Sequence, residues 1–334
     1  MKPPDSIGLN GERIPVIGRR TVNGRTYLVL EELGATPDRL RFRVFDPNSG
    51  IHGEERRLLV LPRNATSERH LKLLQRARHH DNLYAQILDL ERHHREMSIV
   101  MDWVPGPTLD AYLTGVSRGQ CERPSLREAY RLGRNLAHGL RRLHRKSFVV
   151  HGDLNPENLI LHRDSGRLVL IDFGSAWGLE TSTHRGPGDG NRSIYTAPEL
   201  INGEQTPQEF ADQFVATLIL YQLLTLVVPY EGLGGKAGWP QHRDEMADSL
   251  LPPSGLHPDF QRVPGAIRDG VDRVVMRGLS LSVAARYPTS QAWLDDLDRL
   301  WFLMNEPQQR GGQNDRVSKW ISTMGRLFGM RPKE

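Results

Sequence analysis

Residues 151–174 read HGDLNPENLILHRDSGRLVLIDFG. Two short apolar runs, LIL and RLVLI, flank the turn residues Asp164-Ser165-Gly166, which predicts a β-hairpin over 159–171. Asp153 and Asn158 precede this hairpin and Asp172 follows it. Three oxygen-bearing side chains are thus expected around one short element. One carboxylate suits the task of taking and aiming a hydroxyl proton, and two hard oxygen ligands suit Mg²⁺. That set is what a phosphoryl-transfer site needs.

Toward the N-terminus, strand-like segments YLVLEEL, RLRFRVF and RRLLVLP alternate with the turns GATPD and DPNSG. A helix is predicted over 67–78 with Ser67 as its N-cap, followed by strands near 84–90 and 97–103. One helix among five strands predicts a small α+β lobe. Beyond the turn-rich WVPGPT, helical periodicity dominates, over 109–116, 126–146, 208–226, 266–279 and 289–304. The expected domain layout is a leader at 1–25, a small lobe at 26–104, a large lobe at 105–304, a polar linker at 305–315 and an amphipathic basic tail at 316–334.

The 334 residues carry a formal charge of +4, and 310–334 alone hold six Lys/Arg against two Asp/Glu. The excess lies in the tail, so the near-neutral main domain gives no argument for nucleic-acid binding. The single cysteine, Cys121, excludes a disulfide framework and a cysteine-based metal cage, which agrees with a cytoplasmic location. MKPPDSIGLNGE lacks an apolar core segment, so no secretory signal is expected there. The longest apolar run, FVATLILYQLLTLVVPY at 214–230, reads as a buried core helix rather than a membrane span.

The chain resembles the eukaryotic-like Ser/Thr protein kinase family over roughly 26–304. The resemblance rests on His151-Gly152-Asp153-Leu154-Asn155-Pro156-Glu157-Asn158 for the catalytic loop H-R-D-L-K-P-E-N, on Asp172-Phe173-Gly174 for D-F-G, and on Ala197-Pro198-Glu199 for A-P-E. ADQFVATLILYQLLT, with Asp212 at its start, is similar to the family's buried large-lobe helix, and AARYPTSQAWLDDL to its closing subdomain, where Arg286 would pair with Glu199. The resemblance implies an α+β, bilobal protein kinase-like fold, with a β-rich small lobe holding one main helix and a larger helical lobe. It implies Asp153 as the catalytic carboxylate and Asn158 and Asp172 as Mg²⁺ ligands. Nucleotide contacts are expected at Asn158, Asp172, Asp102, Val104 and Ile160.

Several family residues are missing. Aligning RLLVLPR with the family's V-A-I-K strand puts Leu59 at the lysine, and Leu71 lies near the partner glutamate, with Glu68 a turn earlier. The glycine loop is reduced to Gly34-Ala35-Thr36-Pro37-Asp38-Arg39; Gly152 replaces an arginine and Asn155 a lysine. These losses favour a degenerate kinase, a pseudokinase with a regulatory or scaffolding role in signalling, weak ATP and Mg²⁺ binding and a protein partner. The site is expected to face a wall stripped of its cation. The alternative is an active Ser/Thr kinase in which Arg39 or Arg41 replaces the lysine, as the with-no-lysine kinases relocate theirs to the loop. A guanidinium binds phosphate bidentately, whereas the bland reading leaves both arginines in solvent.

HGDLNPENL is also similar to the H-G-D of aminoglycoside and choline phosphotransferases, but Ala197-Pro198-Glu199 and Arg286 belong to the protein-kinase pattern. His70, His79, His80, His93 and His94 read as a surface cluster rather than a zinc site, and GLGGKAG at 232–238 lacks the glycine and hydroxyl of a P-loop. In the tail, Val317, Trp320, Ile321, Met324, Leu327 and Phe328 form an apolar stripe with Arg316, Lys319 and Arg326 between them. That stripe suits docking to a partner, to an anionic membrane surface or to the large lobe itself.

Overall fold

The computed structural model describes residues 6–9, 11–36, 39–77, 84–172, 177–178, 194–200 and 208–305. The small lobe is a six-stranded antiparallel sheet ordered β3-β4-β5-β6-β8-β7. Its strands are β3 (Gly18–Val22), β4 (Arg25–Thr36), β5 (Arg39–Asp46), β6 (Glu54–Pro62), β7 (Ile87–Arg92) and β8 (Glu96–Asp102). Side chains alternate across it. On one face Leu58 and Val60 pack with Phe42, Val44 and Val100. On the other, Leu59 and Leu61 join Ile99, Met101 and the helix α1 (Ala65–Ala77).

The stretch expected as a leader is largely strand. β1 (Ser6–Leu9) and β2 (Glu12–Pro15) form a hairpin, and β3 adds a sixth strand where five were expected. The hairpin's Ile7, Leu9 and Ile14 cover Leu28, Leu30 and Phe45, and this burial holds it against the lobe. The N-cap of α1 is Asn64, whose Oδ1 accepts the Ser67 backbone N–H at 2.9 Å. Ser67, expected as the cap, lies inside the helix and is buried.

The larger lobe is helical. It holds α2 (Leu109–Ser117), α3 (Leu126–Arg142), α4 (Glu209–Thr225), the short α5 (Arg243–Met246), α6 (Gly265–Gly278) and α7 (Ser290–Asn305). Ser125 and Glu128 cap α3 reciprocally. The apolar run became α4, buried on nearly all sides. No helix among the described residues is long and apolar enough to cross a membrane. Arg286, almost wholly buried, donates to both carboxylate oxygens of Glu199 at 2.8 Å, the pairing that the resemblance implied. The expected hairpin forms from β10 (Leu159–Leu161) and β11 (Leu168–Leu170), with Leu159 opposite Leu170. Upstream, β9 (Val149–Val150) leads into the loop that carries Asp153 and pairs with β12 (Trp177–Gly178). Phe173 and Gly174, the segment with Thr181, Ser182, Thr183, Arg192 and Ser193, the pair His79 and His80, and the whole of 306–334 lie outside the described residues.

Candidate active site between the lobes

The loop after β9 is anchored from below. Asp212, in the first turn of α4 and 1% exposed, accepts the backbone N–H of His151 at 2.8 Å and of Gly152 at 3.0 Å. The same carboxylate meets His144 Nε2 at 2.7 Å. Burial works against the Asp212 charge, but the His144 hydrogen bond and the surrounding donors hold its carboxyl below the ordinary range. Gly152 stands where the family has arginine, and its φ of +71° gives a backbone reason for glycine.

Asn155, where a lysine was missed, has a structural task. Its Oδ1 accepts the N–H groups of Glu157 at 3.0 Å and Asn158 at 3.1 Å, capping the turn between them, while its amide donates to the Asp153 carbonyl at 3.1 Å. Asn158 donates to the same carbonyl at 3.0 Å and comes within 3.5 Å of Asp153 Oδ2. Asp153 and Asn158 are therefore together. Asp172 is tied to them through the backbone, since Ile171 N–H donates to the Asn158 carbonyl at 3.1 Å.

The opposite wall is not stripped of positive charge. Residues 39, 41 and 43 of β5 share one sheet face, and register places Arg41 opposite Leu59 and Arg43 opposite Arg57. Arg39 Nη1 reaches both oxygens of Asp172, at 3.1 and 2.8 Å, and Arg41 Nη2 reaches Oδ2 at 3.1 Å. The solvated reading of these two arginines is overturned. A third cation escaped the sequence reading. Arg57, 8% exposed, sits on the same strand face as Leu59, two residues earlier, and donates to the Ile171 carbonyl at 2.8 Å. The alternation of β6 was the available signal, but fixing attention on the lysine column gave only Leu59, which is packed in the core.

Burial alone would raise the Asp172 carboxyl, but the guanidiniums of Arg39, Arg57 and Arg41 outweigh it and hold the carboxyl far below its usual value. On α1 the residue interacting with this cluster is His70, 5% exposed. Burial lowers its pKa to about 4, so the imidazole is neutral at pH 7. Leu71 lies in the core and Glu68 turns away to Arg63 and Arg92, at 3.5 and 3.3 Å. No carboxylate of α1 therefore opposes the arginines.

The remaining candidates are near the lobe junction. Asp102 accepts the Gln86 N–H at 3.3 Å, Val104 is buried, and half-buried Ile160 bridges to Thr108. The chemistry of Asp172 and Asn158 suits Mg²⁺, but their arrangement does not: both Asp172 oxygens are engaged by guanidinium. No cluster of three or more His, Cys, Asp or Glu among the described residues is placed to hold a metal ion, and His70, expected in a surface cluster, is buried instead.

A family profile described as protein kinase domain matches residues 55–268. A probable serine/threonine-protein kinase of Clostridium perfringens is 27% identical over 206 residues, covering 60% of this chain and 27% of that protein. PknB of Lactococcus lactis, a probable serine/threonine-protein kinase, is 26% identical over 219 residues, covering 65% and 32%. A probable protein kinase of Dictyostelium discoideum is 34% identical over 123 residues, covering 35% and 33%. The chain spans about a third or less of the length of these relatives. With the bilobal fold, the hairpin site and the profile match over most of its length in agreement, this chain belongs to the protein kinase family.

Proposed function

We propose that the chain is a kinase-fold regulatory protein, a pseudokinase that binds a nucleotide in its interlobe cleft and acts on a protein partner with little or no phosphoryl transfer. The observation that carries this reading is the capture of Asp172 by Arg39 and Arg41. A carboxylate held by two guanidiniums is poorly disposed to serve as a metal ligand. The absence of a carboxylate from α1 to position the arginines points the same way. The chain's own residues supply the binding: the guanidiniums attract phosphate, and Asp153 with Asn158 lies across the cleft from them. The test is transfer of labelled γ-phosphate to the chain itself and to a generic protein substrate. Transfer no higher than in Asp153→Ala, together with an ATP-induced rise in melting temperature, is expected.

A second reading has its own support. Arg57 is a buried cation on the strand where the family carries its lysine, and Asp153 and Asn158 keep their mutual contact. That favours an active Ser/Thr kinase with arginine in the lysine's place. Transfer abolished by Asp153→Ala would establish it over the first.

A further inference from the structure

We infer that this cleft takes the polyphosphate of a nucleotide without a divalent metal, the Arg39, Arg41 and Arg57 guanidiniums supplying the countercharge that a metal supplies elsewhere. The inference rests on nucleotide binding as proposed above. It starts from the disagreement between the family's metal site and this one. Arg39 and Arg41 together touch both oxygens of Asp172, so a metal entering there would have to displace them.

The charge balance favours an anion. Arg39 and Arg41 pair with the Asp172 carboxylate and Arg57 donates to the adjoining Ile171 carbonyl, so among these described groups, with Asp153 counted, three cations face two carboxylates. His70 adds no negative charge, and Glu68 points elsewhere. The donors also favour an anion. Arg57 is more than nine-tenths buried, its Nε has no hydrogen-bond partner, and neither has Arg41 Nε. Buried donors left without partners are costly and rare. An incoming polyphosphate offers several charged oxygens in the geometry that guanidinium recognises bidentately. Among the described residues Asp172 is the anion paired with Arg39 and Arg41, and a polyphosphate of higher charge would compete with it for the same groups.

The experiment is isothermal titration of the full chain with ATP, once in excess EDTA and once in excess MgCl₂. Affinity in EDTA equal to or stronger than in magnesium is the expected result. Binding seen only with magnesium, or strengthened about tenfold or more by it, overturns the inference while leaving nucleotide binding intact. No binding in either buffer overturns both. The isosteric variant Asp172→Asn gives a result of opposite sign in the two cases. If Asp172 competes for the arginines, the variant binds ATP in EDTA several-fold more tightly; if it is a metal ligand, the variant loses affinity in magnesium and gains none in EDTA. Far-ultraviolet circular dichroism checks that the variant is folded, and the buffer comparison on the unaltered chain needs no variant.

Discussion

His70 links the site to pH. Its ordinary pKa of 6.5 falls to about 4 in the folded chain, chiefly through burial, with Arg39, Arg57 and His151 opposing its charge and Asp172 favouring it. Between those values the unfolded chain takes up a proton that the folded chain refuses. Stability present above pH 6.5 is therefore lost as pH falls toward 4, by up to about 3 kcal/mol. Asp172 acts lower: its depressed carboxyl contributes stability above the ordinary carboxylate range that is lost only in stronger acid. Urea denaturation at pH 7 and pH 4.5 should show this decline, and His70→Leu should flatten it. Arg57 offers a contrast between stability and binding. Its charge is disfavoured by burial, favoured by the nearby Asp172 and disfavoured again by Arg41 and Arg39, and its hydrogen bond goes to one carbonyl. Arg57→Met is expected to change folding stability by no more than about 1 kcal/mol, yet to weaken ATP binding about tenfold by titration calorimetry.

At the scale of elements, α4 does more than fill the core. Its first turn presents Asp212 to the loop after β9, so the buried helix sets the height of Asp153 above it. Asp212→Ala leaves two backbone donors and His144 without their acceptor and should destabilise the fold by about 3–5 kcal/mol, measured as a shift in denaturant midpoint. The Glu199–Arg286 pair fixes the turn Pro198–Leu200 to the start of α7's subdomain. Arg286→Ala is expected to cost a comparable amount, about 3–5 kcal/mol, by the same measurement. These elements were largely legible in advance. The helix ranges follow from apolar spacing, and the hairpin from two apolar runs around Asp-Ser-Gly. The β1–β2 hairpin and β3 were not, because ERIP and GRRTV are short and polar. They are held as strands by pairing and by the apolar face of β4, which local pattern does not show.

For the whole molecule, the Arg39 and Arg41 contacts with Asp172 bind the small lobe to the large one. Arg39→Ala combined with Arg41→Ala is expected to speed amide hydrogen exchange in β5 and in the Ile171–Asp172 segment, with α4 unchanged. Uniform acceleration in all elements would mean that the pair supports global stability instead. ATP added in EDTA should slow exchange in the same cleft segments of the unaltered chain.

The sequence alone determined the kinase family, the large-lobe helices, the hairpin and the grouping of Asp153 with Asn158. These follow from local periodicity and from motifs in which neighbouring residues carry the information. It also showed that the lysine and glycines were missing, and it left Arg39 and Arg41 open between a place in the site and a place in solvent. Only the tertiary structure decided that Arg39 and Arg41 pair with Asp172 and that Arg57 donates to the Ile171 carbonyl, each arginine lying more than a hundred positions from its partner. Their convergence depends on strand register, on the face that each alternating side chain takes and on how the two lobes close, and a long-range electrostatic contact of that kind leaves no mark on local pattern.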